Sequence, residues 1–279
     1  MKYYKTTKKG GKSFHGNVQY RVGKTVRLKP VDRPELCTDS VLHASRKAID
    51  ALGYAGELDC DLFEVGGKPV VEDETKSGFF ALKVLREIPD SEKDAIYGFK
   101  FNEALHPMDP STIICGKITD ADIALLNQWA SVWDSVRDSV WGSVRASVVD
   151  SVWDSVWDFV WASVRASVMD SVWASVMDSV WASVWASVRA SVVDSVGASV
   201  RASVNASFWA YIGSLFPNIT KWKYVKESGD YPFQPAIDLW KRGLVPVKVD
   251  GEWRLYHPVR NKPAKLMYDA KRQKEANRG

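Results

Sequence analysis

Four residues in the first hundred carry side chains from which a catalytic centre could be built. The stretch LHAS sets His43 two residues before Ser45, while Arg21 and Glu64 stand in strand-like stretches. A hydroxyl beside an imidazole can supply a nucleophile and its base. A carboxylate adds a second acid or base, and a guanidinium can hold an anion. His43 equally fits a histidine that caps a helix or packs into a core. The chain has no P-loop, GxGxxG, HExxH or GxSxG. The glycines of KKGGK follow no strand and read as a basic loop. Cys37, Cys60 and Cys115 form no CxxC pair, so neither a zinc site nor a disulfide framework is expected. No cofactor is expected either, and free thiols fit a reducing cytoplasm.

A second set of reactive surfaces lies in a repeat. From Ala130 to Asn205 the chain reads as tetrads of the form [Ala/Asp]-Ser-Val-x, with Val fixed at position three. The free fourth position is mostly Trp or Arg. Trp133, Arg137, Trp141, Trp153, Trp157, Trp161, Arg165, Trp173, Trp181, Trp185 and Arg189 are the binding candidates. Neighbouring Trp and Arg can make cation–π contacts, and a surface of many outward Trp implies a binding face or an oligomer interface. Such strips also stack on single-stranded nucleic acid, but the Asp of the repeat opposes a phosphate backbone.

Two folds compete for the repeat. In an α-helix four residues turn about 400°, so a Val stripe drifts about 40° per tetrad and circles the rod in about nine tetrads. Ser, Val, Asp and Trp each cost roughly 0.5 kcal/mol against Ala, a handicap on the order of 30 kcal/mol over the array. In a β-solenoid each tetrad keeps its side-chain parity. Val then stacks inside at about 4.8 Å and Trp and Arg point outward. The parity argument favours the β-solenoid. The alternative is a long α-helical or helical-bundle array with Trp inside, which the helical, unpunctuated flank ADIALLNQW supports.

Around the array stand two other segments. Residues 1–118 read as a mixed α/β domain. NVQYRVGKTVRL, CDLFEV, GFFALKVLREI and STIICGKI are its strands. DSVLHASRKAIDALGY is a helix capped by Asp39 or Ser40 and stopped by Gly53, and PDSEKDAI is a shorter helix. Residues 119–217 hold a helix start, with Thr119 and Asp122 as a capping-box-like pair, and then the array. Residues 218–279 form a small α+β module: a short helix closed by Gly243, then a hairpin turning at Asp250-Gly251.

The net charge of +4 conceals basic ends. Residues 1–29 carry Lys and Arg without an acid, and Lys and Arg dominate after His257. Such ends suit an anionic partner such as nucleic acid, or serve solubility alone. The amino-terminal stretch lacks an apolar segment and no run is long enough to span a bilayer, so neither a signal peptide nor a membrane is expected.

GNVQYRVGKT, CTDSVLHASRKAIDALGY and CDLFEVGG together resemble an uncharacterised phage and prophage protein family that joins such a domain to tetrapeptide repeats. AYIGSLFPNITKWKY and DGEWRLYH resemble the ends of such proteins. The resemblance implies a phage-type origin and a host-cell cytoplasm, and no activity. It suggests a structural or interaction protein whose partner is itself or an unidentified host or phage protein. Arg21, His43, Ser45 and Glu64 together also resemble the ADP-ribosyltransferase pattern. There an Arg or His orients a dinucleotide and a Glu activates the acceptor. That resemblance implies an active or degenerate enzyme in residues 1–118.

Overall fold

The computed structural model describes residues 1–55, 57–136, 184–185, 188–193, 201–219, 230–260 and 262–276. They fall into two compact units, one of Met1–Leu105 and one drawn from His106 onward.

The first unit contains β1 (Tyr3–Lys8), β2 (Thr25–Arg27), β3 (Leu42–Ala44), α1 (Ala48–Gly53), β4 (Cys60–Gly66), β5 (Pro69–Glu72), β6 (Ser77–Phe79), β7 (Ala81–Ile88), α2 (Asp90–Tyr97) and α3 (Phe101–Leu105). Its strands form two antiparallel sheets, in the orders β1-β4-β7-β2 and β3-β6-β5. A bridge between Tyr4 and Ser45 joins them. The register sets Tyr3 against Val65, Lys5 against Phe63 and Thr7 against Asp61. Alternation along β1 therefore turns Tyr3 and Lys5 to one face. That face carries the core of Tyr3, Tyr20, Leu42, Ala44, Phe63, Val65, Phe79, Leu82 and Val84. Each of its Val, Leu and Phe side chains contributes roughly 1.5–3 kcal/mol by leaving water.

The helix expected over Asp39–Leu52 is only half present. Leu42 and Ala44 are drawn into the sheet core, and Ser45 exchanges backbone hydrogen bonds with Tyr4 at 2.7 and 2.8 Å. Only Ala48–Gly53 is helical. Burial of an alternating pair has overridden local helix propensity. The STIICGKI strand is absent too: a 3-10 turn at Pro110–Thr112 leads into irregular chain, and Ile114 is 97% exposed.

The second unit contains α4 (Asp120–Val136), α5 (Arg201–Ser214), α6 (Gln234–Lys241), β8 (Val245–Val249), β9 (Glu252–Val259), β10 (Lys262–Asp269) and α7 (Ala270–Ala276). The sheet order is β10-β9-β8, antiparallel throughout. Asp250 and Gly251, both at positive φ, make the expected hairpin turn, with Val249 paired to Glu252. Gly243, at φ +70°, ends α6 while Leu244 N–H returns to the Leu239 carbonyl.

The β-solenoid is overturned wherever the array is described. Ala130–Val136 continue α4, Arg189–Val193 form a π-helical segment, and Arg201–Asn205 open α5. No described residue of the array is in a strand. Two physical reasons reverse the expectation. A π turn closes i→i+5 bonds and takes more than four residues. Mixed with α turns, it cancels the forward drift of a four-residue stripe. Val184, Val188 and Val192 are accordingly all fully buried, and Val204 is fully buried in α5. Burial of such side chains, about 1.5–3 kcal/mol each, also outweighs propensity costs near 0.5 kcal/mol.

The tetrad serines have a use that the sequence hid. Ser203 Oγ accepts the Lys248 N–H of edge strand β8 at 3.1 Å. Ser191 Oγ accepts the Val259 N–H at 2.7 Å. A small hydroxyl lets helix and sheet approach closely and satisfies a backbone donor that burial would otherwise strand.

Candidate functional site

A cavity of about 770 Å³ opens in the first unit. Its walls come from β1, the Ser13–Tyr20 turn, the Cys37–Asp39 loop, β3, α1 and the loop before β6. Each wall has a local cause. The turn is anchored by Asp61, whose Oδ2 accepts Gly10 N–H at 2.7 Å and Gly11 N–H at 3.1 Å. Gly11 is required there, because a Cβ would stand 2.4 Å from the Tyr20 carbonyl oxygen. The Cys37 loop is built on Glu35, whose carbonyl accepts Thr38 Oγ1 and Ser40 Oγ at 2.8 and 3.1 Å. Asp73 Oδ1 accepts the N–H groups of Thr75 and Lys76 at 2.8 and 2.7 Å, an Asx-type turn that fixes Lys76.

Cationic and hydroxyl groups dominate the chemistry of the cavity. Lys5 sits on the core face of β1, with Nζ 5.6 Å from the Tyr20 ring centroid. Its amine makes no ion pair or hydrogen bond among the described residues. Burial, reinforced by the charge of Lys76, pushes the Lys5 amine down to about 8. Lys76 lies over the Tyr54 ring at 3.5 Å and donates to Cys37 Sγ at 3.3 Å. Cys37 is at φ +62°, an uncommon conformation for a residue with a side chain, and its N–H donates to His43 Nε2 at 2.9 Å. That bond places the ring proton of His43 on Nδ1. Burial first, then Lys5 and Lys76, hold His43 down at about 4, against weaker opposition from Asp39 and Asp73. His43 is therefore uncharged at neutral pH. Burial also raises the phenol of Tyr20, which keeps its proton. The Tyr20 hydroxyl has no hydrogen-bond partner among the described residues.

The four catalytic candidates separate. His43 and Ser45 both line the cavity. Ser45 is buried and its backbone is fixed to Tyr4. Arg21 and Glu64 are not in the cavity wall. Arg21 is exposed in the turn before β2, where its carbonyl accepts Lys24 N–H. Glu64 is buried and already engaged: Lys2 pairs with one oxygen, and Arg86 Nε donates to the other at 2.7 Å. Those two bonds, Lys2 first, pull its carboxyl below the usual range. The residues that sequence reasoning missed are Lys5, Tyr20, Cys37 and Lys76. Period-two alternation across Tyr3–Lys8 would have placed Lys5 with Tyr3, but the stretch reads first as a basic arm.

Two of the tryptophan candidates are described, and both face inward rather than outward. Trp133 packs against Trp129 and, edge-on, against Trp253, with centroids 6.4 and 5.9 Å apart. Trp185 packs on Phe208 at 5.4 Å. Arg189 is exposed. Arg137, Trp141, Trp153, Trp157, Trp161, Arg165, Trp173 and Trp181 lie outside the described residues.

A smaller cavity of about 230 Å³ in the second unit holds Asp122 and Arg242. Asp122 Oδ2 accepts Thr119 N–H at 2.8 Å, Thr119 Oγ1 at 2.7 Å and Arg242 Nη2 at 3.1 Å, while Arg242 Nε pairs with Oδ1. This is the expected Thr119–Asp122 cap, closed by a guanidinium from α6's end. Among the described residues no group of three or more His, Cys, Asp or Glu side chains could hold a metal, and no helix is long and apolar enough to cross a membrane. The chain matches no protein-family model, no curated protein and no solved structure.

Proposed function

We propose that the Met1–Leu105 unit binds a small organic anion in the 770 Å³ cavity. One observation carries the reading: Lys5 stands on a core face, inside a cavity, with no carboxylate beside it among the described residues. A desolvated charge is costly unless paired, and a bound anion supplies the pair. Lys76 adds a second positive charge. Tyr20, Leu28 and Val41 offer apolar contact to the rest of the ligand, and the volume is in the usual range for a small-molecule site. In this reading the repeat is structural, since its described Val, Trp and Ser side chains build the second unit.

Calorimetric titration of the full chain with pyridoxine 5′-phosphate, a compact aromatic phosphate, tests the site. Binding is expected to weaken with added salt. Lys5→Met and Lys76→Met should each reduce affinity about tenfold, the effect of about 1.4 kcal/mol, while Lys241→Met, on α6, should leave it unchanged. Binding that ignores Lys5→Met, or no binding at all, would overturn the proposal.

A further inference from the structure

The amine of Lys5 is placed for more than charge neutralisation. An amine becomes a nucleophile at neutral pH when it is desolvated and set beside another cation. Both conditions hold in the geometry: Lys5 is on the apolar face of β1, and Lys76 lines the same cavity. Among the described residues no carboxylate pairs with Lys5. The nearby imidazole of His43 accepts the Cys37 N–H, so it is uncharged and adds no further positive charge to the cavity.

From this arrangement we infer that Lys5 forms an imine with small aldehydes or ketones that carry an anionic group, with Lys76 holding the anion. The inference rests on the anion-site reading and specifies its substrate class. The step balances without an oxidant or reductant. The Lys5 nitrogen lone pair attacks the carbonyl carbon, and the carbon–oxygen π pair moves to oxygen. A proton passes from nitrogen to that oxygen to give a carbinolamine. The nitrogen lone pair then forms the C=N bond as the hydroxyl leaves, and the second amine proton goes with it as water. Cys37 is the competing nucleophile in the cavity wall, and its adduct would be a thiohemiacetal rather than a reducible imine.

The test uses the full chain and pyridoxal 5′-phosphate, an aldehyde bearing a phosphate. After borohydride reduction and proteolysis, mass mapping should find Lys5 labelled ahead of every other lysine. Excess pyridoxine 5′-phosphate, which has the phosphate but no carbonyl, should suppress that label at least tenfold. Lys76→Met should lower it about tenfold at the same probe concentration. Lys5→Arg keeps the charge and should still bind pyridoxine 5′-phosphate while giving no label at position 5. The competition is run on the unaltered protein, so a misfolded variant cannot decide the matter. If pyridoxine 5′-phosphate binds in a Lys5-dependent way but Lys5 stays unlabelled, the imine is refuted and the anion site stands. If neither ligand is held, both readings fall. Label spread evenly over surface lysines refutes the imine as well.

Discussion

Arg242 and Lys5 both reach partly desolvated places, one in each unit, and the molecule treats them in opposite ways. Arg242 meets a buried carboxylate, Asp122, which also takes both donors of Thr119. The carboxylate, the Thr119 donors and the guanidinium answer one another within the chain. Lys5 meets the Tyr20 ring and a second cation, with no acid among the described residues. The second unit repeats the first pattern elsewhere: Arg254 pairs with Asp269 at 3.0 Å, and His257 Nδ1 bonds the Gly243 carbonyl at 2.8 Å. A partly desolvated cation with a built-in partner serves the fold. One without a partner among the described residues is where the proposed anion would bind.

The comparison can be broken first at Asp122. Asp122→Ala removes an acceptor of Thr119 N–H, Thr119 Oγ1 and Arg242 together. Loss of one member of a buried pair costs about 3–5 kcal/mol. Arg242 remains partly in water, so about 3 kcal/mol is expected. Chemical denaturation should show this loss, and Asp122→Asn, which keeps an acceptor for Thr119, should lose about half as much. A neutral Asp122→Ala would mean that the cap and the ion pair contribute nothing.

At Lys5 the sign should reverse. Lys5→Met keeps length and apolar stem but deletes an unpaired charge. Replacing a poorly compensated buried charge with an apolar side chain is neutral or favourable. The variant should be more stable by about 2 kcal/mol at neutral pH in denaturant titration, and should bind the anion about tenfold more weakly. A gain in stability together with a loss of function is the signature of a residue kept for its chemistry. If Lys5→Met is destabilised, Lys5 has a structural partner after all.

Much of this contrast was legible in the chain, and the unread parts have physical causes. The Thr119–Asp122 cap, the Asp250-Gly251 turn and the Gly243 stop are local: each depends on residues a few positions apart, so their spacing betrays them. The cavity is not local. Lys5, Tyr20, Cys37, His43 and Lys76 are gathered by strand pairing, and no short motif encodes their meeting. Lys5 was hidden by its neighbours, because Lys2, Lys8 and Lys9 make the whole stretch look like a solvated basic arm. The repeat misled for a different reason. The four-residue period was judged against ideal α geometry, while the chain admits π turns that hold Val184, Val188 and Val192 on one buried stripe. His43 was found in the sequence for its possible catalysis. The structure puts it in the cavity without Glu64, whose carboxylate already serves Lys2 and Arg86.

The smallest expected effect is the one that separates the two cations most cleanly, and it is a pH dependence. The Lys5 amine is near 8 in the folded protein and near its ordinary 10.5 when unfolded. Below pH 8 both states hold the proton, and the native state bears the full penalty of an unpaired ammonium. Between these values the unfolded chain binds more protons than the native one, so stability rises with pH. Across one pH unit above 8 the gain should be about 1 kcal/mol. Denaturant titrations from pH 7 to 9 should show this rise in the unaltered protein. Lys5→Met should flatten it, because the depressed amine is gone. Asp122→Asn, in the other unit, should leave the slope intact, since it does not alter the Lys5 amine. A slope that survives Lys5→Met would assign the depressed amine to another lysine and remove the physical basis for the contrast.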